Sequence, residues 1–256
     1  MKKAILLCGM LLALTATVAS AAGVNLNWGA CYGDGPVTGN KASACTSNAG
    51  TNSMVASYVL PHDVLAVSGN EIVVDLAASA PTLPAWWQLF TAGNCRAGAS
   101  LTGNVIYGGP AVGCTDYWAG AGAGGVAAYK IGLYGPNTGR MILAFAVPAS
   151  SISSQTGGVE YFSCNIGVTN AKTVGLGSCA GCLTQVCLVL NSIKVTTPTP
   201  LAGTDVTLTG GADAANSNFI TWQGATVNPT TNLGTGCPAA TPTHNATWGS
   251  VKALYR

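Results

Sequence analysis

The sequence predicts an all-β protein, a single sandwich tied by disulfides, and three observations carry that expectation. Short apolar/polar alternations recur along the chain, and Gly, Asn, Ser and Pro clusters separate them. Ten cysteines are present, and all but Cys8 lie beyond an export-type leader.

The leader comes first. Residues 1–21 read as a secretory signal peptide: Lys2 and Lys3, an apolar run from Ala4 to Leu14, then Ala19-Ser20-Ala21 as an A-x-A cleavage site before Ala22. The run is shorter than the roughly 20 residues that span a bilayer. Cys8 follows Leu7 inside that run, which argues against a lipid anchor. No later stretch is apolar for long enough to cross, so the expectation is an exported chain with no stable membrane insertion, in one domain over 22–256.

The strands follow in order. "SMVASYVL" and "NEIVVDL" open the series; in the second, Ile72, Val74 and Leu76 alternate with Glu71, Val73 and Asp75. "RMILAFAVP" alternates Met141, Leu143, Phe145 and Val147 and stops at Pro148, which has no N–H for a ladder. In "VEYFSCNIGV", Phe162, Cys164, Ile166 and Val168 are expected to share one apolar face. "CLVLNSIKVTT", "DVTLT" and "NFITWQ" complete the set, with "TTPTPLAGT" at 196–204 read as a long connection within the domain. At the end, Trp248, Val251, Leu254 and Tyr255 fall at helical spacing after Thr247, predicting a short C-terminal helix; a sorting or docking tail is the alternative.

Charge excludes some functions. Only 7% of residues are charged, against about 25% in an average globular chain, and the basic residues are scattered singly. Phosphate backbones need clustered Lys and Arg, so nucleic acid is not an expected partner. Polarity must come from hydroxyls and amides, as suits an extracellular surface.

"SCAGCLTQVC", residues 178–187, is the one dense chemical cluster. A four-thiolate zinc site usually has two C-x-x-C knuckles, and here there is one, Cys179 and Cys182. A redox C-x-x-C would open a helix, whereas Gly175, Gly177 and Gly181 make this a loop. Staples fit better than metal or redox chemistry. Two disulfides are expected among Cys179, Cys182, Cys187 and Cys237, and local pairs Cys31–Cys45 and Cys95–Cys114, leaving Cys164 as a buried free thiol. No metal or cofactor is expected.

Catalytic constellations are thin. The two histidines, His62 and His244, come without a G-x-S-x-G elbow. The two glutamates, Glu71 and Glu160, both sit on polar strand faces. "GAGAGG" at 120–125 matches a dinucleotide fingerprint formally, but no βαβ context surrounds it and it is read as a flexible loop. The aromatics in "LPAWWQLF" and "CTDYWAG" are the candidate binding residues. Neighbouring Trp86 and Trp87 in a strand would point to opposite faces, leaving one ring outward, and Trp118 lies beside Asp116 and Tyr117; an exposed ring with a carboxylate nearby suits a sugar.

The segments "GNEIVVDL", "LPAWWQ", "NAKTVGLGSCAGCLTQVCLVLNSIKV" and "ATWGSVKALYR" resemble a group of secreted bacterial proteins with no assigned activity, across nearly the whole chain. The resemblance implies secretion and one domain, and brings no catalytic residues. The strand pattern is similar, more loosely, to cohesin-type and immunoglobulin-like sandwiches, with a jelly roll as the alternative arrangement. The expected role is a non-catalytic extracellular or cell-surface binding or structural module, with glycans as the first ligand class. A self-assembling surface or appendage subunit, and a secreted hydrolase, are the alternatives. Ligand identity and oligomeric state stay open.

Overall fold

The computed structural model describes residues 22–34, 39–98, 100–108, 114–198, 204–211 and 218–225. The expected signal peptide and C-terminal helix, with Cys8, His244 and Cys237, lie outside the described residues.

Two antiparallel-dominated sheets pack face to face. The first has four strands in the order β1 (Gly23–Trp28), β3 (Thr51–Val59), β12 (Glu160–Thr169) and β8 (Leu101–Asn104). The second runs β2 (Asn40–Lys41), β15 (Phe219–Trp222), β13 (Val186–Thr196), β5 (Gly69–Ala78), β10 (Thr138–Ala146) and β9 (Ala123–Ile131), with β14 (Val206–Leu208) also on β13. Two small ribbons flank them: β4 (Val64–Val67) with β11 (Ser153–Gln155), and β6 (Leu89–Phe90) with β7 (Arg96–Ala97). The all-β expectation holds, and no helix in the described residues exceeds one short turn.

The pleat explains the core. Ile72, Val74 and Leu76 of β5 and Met141, Leu143 and Phe145 of β10 face inward from one sheet, and Met54, Ala56, Ile166 and Val168 face them from the other; all are buried. At the corner where the sheets meet, Gly103 of β8 comes so close to β10 that a Cβ there would lie 2.5 Å from Leu143 Cδ2. A side chain at this position would have to displace the Leu143 tip, so the close approach favours glycine. "GAGAGG" is not a free loop, because Gly124 and Gly125 belong to β9 and pair with Phe145 and Ala144 of β10.

One end of the core is a tryptophan cluster. Trp222 lies 6.0 Å from Trp28, 5.5 Å from Trp86 and 5.7 Å from Trp87, centroid to centroid. At about 200 Å² per ring and roughly 25 cal/mol/Å², each contributes up to about 5 kcal/mol of burial. Three of the indole N–H groups have acceptors: Trp28 donates to Thr221 O, Trp86 to Thr173 Oγ1 and Trp222 to Cys182 O.

The disulfides join residues far apart in sequence. Cys31 pairs with Cys114, Cys45 with Cys182 and Cys95 with Cys179. The expected local pairs Cys31–Cys45 and Cys95–Cys114 therefore do not form, because sheet order, not sequence distance, decides which loops meet. Cys179 and Cys182 each bind a cysteine from outside their own loop. Cys187 is also disulfide-bonded, and Cys164 is free and buried.

The β12 ladder slips by one residue between Phe162 and Cys164. Ser163 is the extra residue of a β-bulge, so the alternation breaks there. Tyr161, Cys164, Ile166 and Val168 face the core beside Tyr58, Ala56, Met54 and Asn52, while Phe162 pairs with Ser57 on the outer face. The expectation that Phe162 shares the face of Cys164 is thus corrected.

Candidate functional site

The anticipated tryptophan platform is not a surface. Trp86 and Trp87 are 0% exposed and Trp118 is 1% exposed. The strand assumption fails because residues 85–87 form a 3-10 turn after Pro84, and a turn does not send neighbouring side chains to opposite faces. Trp118 donates its indole N–H to Ser163 O at 2.9 Å, and Asp116 Oδ1 accepts the Trp118 backbone N–H at 3.0 Å. Asp116 thus closes a local turn beside a core ring. Tyr117 is half-buried against Trp118, and burial pushes its phenol above the ordinary range. These five residues present no exposed stacking ring.

The carboxylates do not pair either. Glu71 is on β5 opposite Lys194 and Ala144, on the outer side of the seven-stranded sheet. Glu160 lies on the outer side of the other sheet, where Oε1 accepts from Asn25 Nδ2 at 2.9 Å and Ser57 Oγ at 2.6 Å. The whole core separates them. His62 is exposed, its Nδ1 2.9 Å from Asp63 O.

The outer face of the four-stranded sheet does build a site. Asn25, Asn27, Val55, Ser57 and Phe162 lie on this face and are buried, although the sheet packs its core on the other side. Residues from the Gly29–Asp34 turn and from the segment after β8 cover them, and the Cys31–Cys114 bond ties those two segments together. Tyr107 lies on Phe162 with ring centroids 5.1 Å apart, and its hydroxyl donates to Asp34 Oδ2 at 2.5 Å. Asp34 Oδ1 accepts the Cys114 N–H at 3.3 Å. Burial and the Asp34 carboxylate together push the Tyr107 phenol above its ordinary range.

Between this cover and the sheet is a recess of about 240 Å³. Phe162, Tyr107 and Ile106 supply its apolar wall, Ile106 being 74% exposed. Ser53, Asn104 and Asn165 supply the polar wall. Asn165 Nδ2 donates to Asn104 Oδ1 and to Ile106 O, and Asn104 Oδ1 also accepts the Ile106 N–H. Those bonds fix both amides and leave the Asn104 Nδ2 donor, the Asn165 Oδ1 acceptor and the Ser53 hydroxyl for a ligand. Donor and acceptor side by side can grip one hydroxyl pair.

Nothing in the pattern pointed here. Asn104 ends a four-residue strand, Tyr107 is in a loop, and Phe162 reads as core until the bulge is known.

Cys31, Asp34 and Cys114 bring ligand-type atoms within 4.8 Å of one another. Both sulfurs are spent in the disulfide, so no thiolate is available to a metal.

No protein-family model, no curated protein and no solved structure matches the chain.

Proposed function

We propose that the protein is a secreted, non-catalytic binding module that holds a hydroxyl-rich ligand, a carbohydrate, in the recess on the outer face of the four-stranded sheet. The observation that carries this reading is the set of three uncommitted polar atoms, Ser53 Oγ, Asn104 Nδ2 and Asn165 Oδ1, facing the Tyr107, Phe162 and Ile106 wall. An apolar surface beside fixed hydroxyl and amide groups matches the two sides of a sugar ring. The volume falls below the roughly 300–1,000 Å³ of pockets for drug-sized ligands, so the ligand is a single residue or a chain end. Export is supported by the leader, by three disulfides among the described residues, and by the lack there of any helix long and apolar enough to cross a membrane.

A glycan array, followed by NMR titration with the best neutral hexose, tests the reading. Shifts should concentrate on the Asn104 and Asn165 side-chain amides, and Asn104→Ala should weaken binding about tenfold, as loss of one ligand hydrogen bond. Binding unchanged in Asn104→Ala, or no response to any glycan, would remove it.

A further inference from the structure

Resting on that reading of the recess, we infer that its ligand carries an acetamido group: Asn104 and Asn165 clamp the amide of an N-acetylated amino sugar, and the apolar wall takes its methyl.

Bonds inside the protein fix the polarity of this clamp. Asn104 and Asn165 are direct cross-strand partners on β8 and β12, so their side chains stand together on one face of the sheet. Asn104 Oδ1 accepts from Asn165 Nδ2 at 3.3 Å and from the Ile106 N–H at 3.0 Å, and Asn165 Nδ2 also donates to Ile106 O at 2.6 Å. Turning the Asn104 amide over would set its NH2 against two donors, and turning Asn165 over would set its oxygen against two acceptors. Asn104 therefore offers the recess a donor only, and Asn165 an acceptor only. Hydroxyls can exchange donor and acceptor roles, so a fixed order gives them no advantage. A secondary amide cannot exchange them: its C=O accepts from Asn104 Nδ2 while its N–H donates to Asn165 Oδ1.

The rest of the recess suits the methyl and the ring. The Ile106 N–H and C=O are both bonded to the asparagine pair, which holds this residue, 74% exposed, beside the clamp. Phe162 and the Tyr107 ring continue the apolar wall. A methyl laid on these groups removes apolar surface from water. Ser53 Oγ, on the polar wall, is left for a ring hydroxyl. Among the described residues that line the recess there is no Asp, Glu, Lys, Arg or His, so the lining suits a neutral amide and offers no counter-charge to an ionic group.

The test titrates the disulfide-bonded protein with N-acetylglucosamine, glucose and N-acetylglycine N-methylamide, following the Asn104 and Asn165 side-chain amides by NMR. N-acetylglucosamine should bind about threefold to tenfold tighter than glucose, and the peptide-type amide, which brings no hydroxyl for Ser53, should bind more weakly than N-acetylglucosamine. Asn104→Asp keeps an oxygen for Asn165 Nδ2 and the Ile106 N–H but puts a second acceptor where the donor stood. A hydroxyl can turn to donate to that oxygen and an amide C=O cannot, so the ratio of N-acetylglucosamine to glucose affinity should fall to about one. Equal binding of the two sugars by the wild-type protein, or a preference that Asn104→Asp leaves unchanged, would overturn the acetamido assignment and leave the recess reading standing. Tighter binding of the peptide-type amide than of N-acetylglucosamine would overturn the sugar as the source of the amide. No amide shift with any of the three compounds would overturn both the inference and the recess reading.

Discussion

Phe162 and Cys164 stand two positions apart in one strand, yet the Phe162 ring lines the recess and the Cys164 thiol points into the core. The bulge at Ser163 makes the difference, since one extra residue exchanges the faces on either side of it. Core and candidate site are therefore set by the same local irregularity.

Cys164 should be chemically silent in the folded protein. Burial pushes its thiol from 9.0 up to about 12, and the thiolate is the reactive form. An alkylating reagent should label no cysteine under native conditions and Cys164 alone after unfolding without reductant. The raised value also sets a pH dependence: this group's contribution to stability is complete below about 9, where it is protonated in both states, and declines as pH rises toward about 12. Denaturant midpoints measured across that range should fall, and more steeply than in Cys164→Ala.

The disulfides are expected to be indispensable. They span 83, 137 and 84 residues of sequence, and closures of this length are worth about 4 to 5 kcal/mol each in the chain-entropy model. Non-reducing peptide mapping should recover Cys31–Cys114, Cys45–Cys182 and Cys95–Cys179, and a Cys95→Ala/Cys179→Ala double variant should lose about 2 to 5 kcal/mol.

Arg96 should prove structural. It is 1% exposed, Nη1 donates to Trp86 O at 2.9 Å, Nη2 donates to Thr169 O, and the guanidinium lies 3.9 Å from the Trp86 ring centroid. Burial lowers its value to about 10, and the carbonyl oxygens and the ring face hold the charge. Arg96→Ala takes the donor from the buried Trp86 carbonyl and from the part-buried Thr169 carbonyl, and should cost about 2 to 3 kcal/mol. Arg96→Lys should recover only part, because an ammonium cannot bridge both carbonyls while stacking on an indole. Urea unfolding midpoints read both.

Gly181 should resist replacement. It sits between Cys179 and Cys182, each bonded to a cysteine elsewhere, at φ +109°, and a Cβ would lie 2.2 Å from Pro84 Cβ. Gly181→Ala should destabilise by about 2 kcal/mol, from strain plus overpacking, with a matching loss of thermal midpoint. Gly175→Ala, with the same sign of φ but open space around it, should cost less.

Where the period ran unbroken, the strands were legible. "NEIVVDL" and "RMILAFAVP" are β5 and β10, and β10 stops short of Pro148 as expected. The period is uninformative where the geometry is non-local. Strand parity misplaces one ring of Trp86 and Trp87, because Pro84 starts a turn that takes both inward. Cysteine spacing carried no information on which loops the sheets bring together. The recess combines a strand end, a loop ring and the residues around a bulge, and no sequence periodicity describes that combination.

The most direct test is the crystal structure of the protein soaked with a monosaccharide that binds it in solution. The expected result is a sugar ring against Tyr107 and Phe162, with hydroxyls within hydrogen-bond distance of Ser53 Oγ, Asn104 Nδ2 and Asn165 Oδ1. A sugar seated elsewhere on the sandwich, with only water in the recess, would contradict it.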